Sequence, residues 1–443
     1  MEAQNTYDKP VTLRNILRFA VPTIAMSVFM SFYTMVDGLF VSNLIGTSAL
    51  SAINLTAPVI QVVTAISTML ATGGSAVIMK KMGEHKSKEA NEDLTFLILV
   101  NVAVGLFMTV LGYSLMETIF GGMGLSPEVA GYCTSYLSRY LLFTIPILLM
   151  NNFTLYMIAS EKAALSLICS VSGGVLNIVL DYVSIGLLDM GIGGAAIATG
   201  LGYSVTAVVG LFVFSRKKSL LHFTKPAFRF KVLANAATNG CSEMATALVT
   251  GIITMMFNWT MLHHVGEDGV AAVTIIMYVL MFASSLYTGY SYGVAPMLSY
   301  YYGEKNHEKL KKLVSTSLNV IAVISLVTAA VSFAAARPLV SIFARPEDPV
   351  YDLAVTGDRI CTLALLFIGF NIFASGMFTA LSNGIVSALL AFSRSFVFML
   401  IAMLILPAIL GVDGIWLATP AAELMALVLS VSMFVRYRKR YRY

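Results

Sequence analysis

Residues 191–199 read GIGGAAIAT and residues 411–419 read GVDGIWLAT, so Gly191, Gly194, Ala198 and Thr199 recur as Gly411, Gly414, Ala418 and Thr419 at a shift of 220. The same shift carries Gly46 onto Gly266, Ala52 onto Ala272, Gly73 onto Gly293, Gly83-Glu84 onto Gly303-Glu304 and Arg139 onto Arg359. Asn151 and Phe153 likewise fall on Asn371 and Phe373. The register holds without a gap over about 150 positions, through loops as well as apolar runs, which points to a duplicated membrane unit.

The chain is 58% hydrophobic and only 12% charged over 443 residues, more apolar surface than one soluble core could hide. Stretches long enough to cross about 30 Å of hydrocarbon fall at 15–43, 53–80, 93–118, 132–159, 163–187, 192–214, 232–262, 270–299, 313–336, 353–381, 384–408 and 413–436. The first is too long for a cleavable leader and reads as a retained span. Cys133, Cys169, Cys241 and Cys361 lie in or beside apolar runs and imply neither disulfides nor a metal site. The five histidines show no metal-ligand spacing, and no GxxxxGK[ST] motif offers an ATP site. Enzyme chemistry and a resident cofactor are therefore not expected.

The expected fold is an all-α polytopic membrane protein, with twelve transmembrane helices in two pseudo-symmetric six-helix bundles forming a V-shaped central cleft. An N-terminal lobe takes 1–215, a basic cytoplasmic linker 216–231, and a C-terminal lobe with a basic tail 232–443. An even number of spans per half gives both copies one orientation. With the N-terminus in the cytoplasm, inward segments carry Lys80, Lys81, Lys86, Lys88, Lys162, the Arg216–Lys231 stretch, Lys305–Lys312 and the tail RYRKRYRY, whereas outward loops offer Arg337 and Arg345. That asymmetry places both termini inside a cytoplasmic membrane. Directly after a span, the tail sets topology and touches anionic lipid rather than nucleic acid.

Function is sought where charge survives at membrane depth. Asp37, in MVDGLFV, has no lysine or arginine near it in sequence, and a carboxylate there must be neutralised by a proton, a cation or a partner group. Asn177 and Asp181, in LNIVLDY, share one helix face at i,i+4 spacing. Thr199 adds a hydroxyl. Two carboxylates with neutral oxygens suit Na⁺, and closely placed carboxylates also share a proton, so either ion fits, H⁺ being slightly favoured.

Several motifs together resemble the multidrug and toxic compound extrusion (MATE) family, in its DinF-like and MepA-like bacterial and archaeal branch. They are the AVP turn at Ala20–Pro22, VDGLFV at 36–41, G-x-x-A-L-S-A from Gly46 to Ala52, LNIVLDY at 176–182 and GIGGAAIAT at 191–199, within the twelve-span frame. The resemblance implies secondary antiport by alternating access, with amphipathic, mostly cationic organic compounds leaving in exchange for H⁺ or Na⁺. It implies an ion site at the matching positions Asp37, Asn177, Asp181 and Thr199. A lipid or lipid-linked intermediate exporter shares the frame and is the alternative.

Glu243, on the seventh span, resembles an acidic position used by some relatives for substrate or coupling. Tyr136, Met157 and Met256 are further candidate substrate contacts, because polarizable and aromatic side chains suit varied ligands. Pro22 is read as a hinge on the span that carries Asp37. The run LALLFIGFNIFASG at 363–376 lacks the deep aspartate of some relatives. Glu423 either faces the central cleft or, with equal economy, pairs with Arg394 in the favoured structural role, and Arg139 and Arg359 are expected to act as duplicated structural anchors. Besides organic cations and membrane lipids no obligatory partner is expected, and the chain reads as a monomer.

Overall fold

In the computed structural model the backbone is described for residues 6–44, 47–122 and 125–443, and side chains for 7–36, 52–122 and 125–443. Twelve apolar segments form helices where they are predicted. They are α1 (Leu13–Leu44), α2 (Thr47–Gly83), α3 (Ser87–Gly121), α4 (Pro127–Leu141 and Thr144–Ala159), α5 (Ala163–Leu187) and α6 (Gly191–Ser215). The second set is α7 (Phe230–His264), α8 (Glu267–Glu304), α9 (His307–Ala334), α10 (Pro349–Ala380), α11 (Gly384–Leu410) and α12 (Val412–Tyr441). Among the described residues eleven are unbroken enough to cross a membrane alone, and the two parts of α4 make a twelfth span bent by 53°.

Local chemistry explains the ends. The Ser126 hydroxyl accepts from the Val129 N–H at 3.4 Å with Pro127 in the first turn, and Asn306 Oδ1 accepts from the Lys309 N–H at 3.1 Å. Gly191 and Gly411, one repeat apart, enter α6 and α12 with φ of +57° and +60°. Only glycine adopts that left-handed backbone at little cost, which gives the repeated GIGG and GVDG their physical reason.

The fourth span breaks at the same register in both copies. α4 bends at residues 142–143, and α10 passes through a tighter 3-10 turn at Thr362–Ala364. Phe107, Phe212, Ile385 and Val435 lie on broad exposed apolar faces, as expected where lipid replaces water.

The helices group into two compact units, one from Phe29 to Gly240 and the other from residues up to Val28 together with Cys241–Tyr443. In the first, Ala52, Val63, Tyr136, Tyr140 and Leu148 belong to one core. In the second, Ile276, Tyr287, Leu365 and Trp416 do the same, and the Tyr287 hydroxyl donates to the Leu365 carbonyl at 3.0 Å.

The basic segment after α6 is docked along α3. His222 N–H donates to Asn91 Oδ1 at 2.9 Å, Thr224 N–H to Thr95 Oγ1 at 3.1 Å, and Arg229 pairs with Glu92 at 2.5 Å and Asp93 at 3.1 Å. Lys81 of α2 also pairs with Asp93, whose carboxylate is fully buried. Two cations offset the desolvation that a buried carboxylate suffers, so the segment is a strap on its half of the chain.

Candidate functional site

Helices α5 and α6 cross so closely that their backbones touch. A Cβ on Gly202 would lie 2.7 Å from the Gly173 carbonyl oxygen, and one on Gly173 would lie 2.5 Å from that of Gly202. Small residues permit this approach between membrane helices. One turn along from the crossing, Asn177 of α5 donates its amide N–H to the Thr199 hydroxyl of α6 at 3.2 Å.

Asn177, Asp181 and Thr199 are all buried. The amide oxygen of Asn177 has no hydrogen-bond partner among the described residues. Leaving such an acceptor unmet in a low-dielectric interior costs about 1–3 kcal/mol. Regular α-helix ends at Asp181, and Tyr182–Leu187 widen into π-type turns, a distortion common at functional positions.

That widened segment holds a residue the sequence reading passes over. Ser184 is buried, its hydroxyl lacks a partner among the described residues, and a Cβ on Gly194 would lie 2.9 Å from it. Its signal in the sequence is its position three residues beyond Asp181 in DYVS. Asp37 lies on α1, but its side chain falls outside the described residues.

A small, partly open cavity adjoins this pair, lined among others by Met30 and Tyr33 of α1, Met150 of α4, Gly173 of α5, and Gly202 and Tyr203 of α6. Gly173 precedes Asn177 by one turn and Tyr203 follows Thr199 by one turn, so the cavity and the polar pair are neighbours on the same two helices. The glycines are cavity-forming because they lack side chains, a role invisible without the crossing.

The candidate substrate residues are placed separately. Tyr136 packs in its half's core with its ring 6.2 Å from that of Tyr140, and Met157 is fully enclosed; neither lines the cavity. Glu243 is partly buried on α7, and Met256, farther along that helix, packs against the core of its own unit. Pro22 sits inside α1, where the Thr23 hydroxyl donates to the carbonyls of Phe19 at 3.2 Å and Ala20 at 2.9 Å, supplying a donor beside the N–H that proline lacks.

In the unit containing α10–α12, Glu423 accepts from Asn371 Nδ2 at 2.8 Å and lies 3.6 Å from Arg394 Nε, while the Ser430 hydroxyl donates to Asn371 Oδ1 at 2.9 Å. This is the structural pairing favoured for Glu423. Arg139 donates to the Ser135 hydroxyl at 2.5 Å and passes over Gly193, where a Cβ would collide with its guanidinium. Arg359 lies over the Phe333 ring, 5.6 Å from its centroid. All four cysteines are free, and among the described residues no group of three or more His, Cys, Asp or Glu converges to hold a metal ion.

Comparison with known proteins bears on this frame. The MatE family model matches residues 22–183 and again 242–405, two segments that begin one repeat apart. The chain is 24% identical over 439 residues to the multidrug export protein MepA of Staphylococcus haemolyticus, covering 98% of this chain and 96% of that one. Among solved structures it is similar to an outward-facing multidrug resistance MATE transporter of the MOP superfamily, with a TM-score of 0.89 and 24% identity over 96% of this chain and 95% of that one. It is also similar to a MOP superfamily transporter from Pyrococcus furiosus, with a TM-score of 0.90 and 22% identity over 100% and 99% of the two chains. The duplicated match, the twelve helices and full-length relatives converge on one conclusion: this multi-pass membrane protein belongs to the MatE family of transporters.

Proposed function

We infer that the chain is a secondary active exporter that moves amphipathic, mostly cationic organic compounds outward in exchange for H⁺ or Na⁺ by alternating access. It acts as a monomer in the cytoplasmic membrane of a prokaryote, with both termini in the cytoplasm. The observation that carries this reading is the buried Asn177–Thr199 pair, its amide oxygen without a partner among the described residues, beside a cavity bordered by methionine and tyrosine. The names of the MepA relatives as multidrug export proteins support the choice of cargo.

The coupling step follows from charge. Asp37 and Asp181, when ionised, hold a proton between them or a Na⁺ ion with Asn177 and Thr199; once the ion is bound the site is less attractive to an organic cation. Substrate and ion then favour different conformations, and each tenfold ion gradient supplies about 1.4 kcal/mol of driving force. Transport is measured in reconstituted vesicles under separately imposed pH and Na⁺ gradients, with the membrane potential clamped. Efflux driven by one gradient and abolished in D37N and D181N supports the reading; near-native driven turnover in both variants overturns the site.

A further inference from the structure

The second unit contains an acid that this mechanism does not use. Asp358 lies about nine residues into α10, about 14 Å along its axis at 1.5 Å per residue, just before the carboxylate-free run at 363–376. It is 1% exposed, and neither of its carboxylate oxygens has a hydrogen-bond partner among the described residues. Thr362, one turn farther on the same face, is 2% exposed and its hydroxyl is in the same condition.

The surroundings offer little to neutralise a charge. The neighbouring Gly357 packs against Ile276 of α8 and Trp416 of α12, and Cys361 donates its S–H to the Trp416 carbonyl at 3.3 Å. On α10 the nearby charged and titratable groups are Arg359, drawn over the Phe333 ring, and Cys361. Glu267 and Asp268 of α8, Arg337 of the short helix Ala336–Val340 and Asp413 of α12 are exposed at helix ends. Glu423 of α12 is held by Asn371 and Arg394. Glu304 of α8, Glu308, Lys309, Lys311 and Lys312 of α9, and Arg436, Arg438, Lys439 and Arg440 of α12 lie at the opposite ends of their helices.

An ionised carboxylate left alone in such a place costs several kcal/mol. Three oxygens from two side chains fall short of the shell a metal cation takes, whereas a proton needs one carboxylate oxygen and one acceptor. The backbone adds a second argument. The 3-10 turn at Thr362–Ala364 begins directly after this turn of helix, at the register where α4 bends by 53° in the other copy, and such mid-helix changes mark hinges. Duplication has kept the break and the arginines Arg139 and Arg359, but the residue matching Asp358 is Ser138, whose hydroxyl donates to the Ser135 carbonyl at 3.3 Å.

We propose that Asp358 and Thr362 form a reversible proton-binding position at the break in α10, separate from the Asn177–Asp181–Thr199 set. A proton adds to one carboxylate oxygen to give the neutral acid, whose O–H donates to the Thr362 hydroxyl oxygen. It returns to water when the break opens the turn. The position binds H⁺ whichever ion the other set carries.

The test is infrared pH titration of the full chain in lipid vesicles, comparing wild type with D358N, T362V and D358S, the last restoring the residue of the first copy; thermal melting checks that each is folded. The expected result is a protonated-carboxyl C=O band that titrates, is absent in D358N and D358S, and has its midpoint shifted in T362V. A D358N-sensitive band present at every pH marks a permanently neutral structural acid, and no D358N-sensitive band marks a permanent carboxylate; either overturns the proposal. So does a midpoint that moves with Na⁺ concentration, which would mean a metal cation competes for the site.

Discussion

Asn177 and Thr199, 22 residues apart and on different helices, are joined by a 3.2 Å hydrogen bond that leaves the amide oxygen of Asn177 without a partner among the described residues. T199V removes the acceptor and orphans a buried amide N–H. The variant should lose about 1–2 kcal/mol of stability, seen as a lower melting temperature in detergent. Its transport should need a steeper ion gradient while turnover at saturating gradient falls less than in D181N, because the carboxylate anchor remains. Equal losses in the two variants would argue that Thr199 does more than orient Asn177.

Gly193 lies under the Arg139 guanidinium with no room for a methyl group. G193A should destabilise the protein by about 1–3 kcal/mol through overpacking. R139A alone should cost less, and the double variant G193A/R139A should recover most of the loss. A strictly additive double-variant melting temperature would remove the contact as the cause.

Arg394 and Glu423 differ in what each leaves behind. R394A leaves the Glu423 carboxylate buried against Asn371 without its cation and should cost about 3 kcal/mol. E423Q keeps an acceptor for Asn371 and removes the charge, so it should cost less. Melting temperatures in the reverse order would refute the reading of Arg394 as the counter-ion of Glu423.

The strap after α6 is held by Arg229, whose guanidinium is partly exposed, against the buried Asp93. R229A should cost about 1 kcal/mol after allowance for solvent, since Lys81 still pairs with Asp93. K81A/R229A should be far worse than the sum of the single variants, as Asp93 then has no cation. Additive effects would show that the two cations act independently.

Sequence alone determined the number of spans, their duplication and the family, because hydropathy and a shift of 220 residues are one-dimensional properties that a lipid solvent forces on the chain. It also placed Asn177 and Asp181 on one face, since helical spacing needs no neighbour, and it offered Arg394 as one of two placements for the charge of Glu423.

What only the tertiary structure decided was contact. The crossing at Gly173 and Gly202 set Asn177 against Thr199 and opened the cavity beside them, and residues that contribute no side chain leave no chemical signature in a sequence. Asp358 escaped for a related reason. Its place beside Arg359 says nothing of its burial, and only packing shows that arginine drawn over Phe333 and the carboxylate enclosed without a hydrogen-bond partner among the described residues. Burial and hydrogen-bond satisfaction depend on neighbours distant in the chain, so they become readable only once the helices have packed.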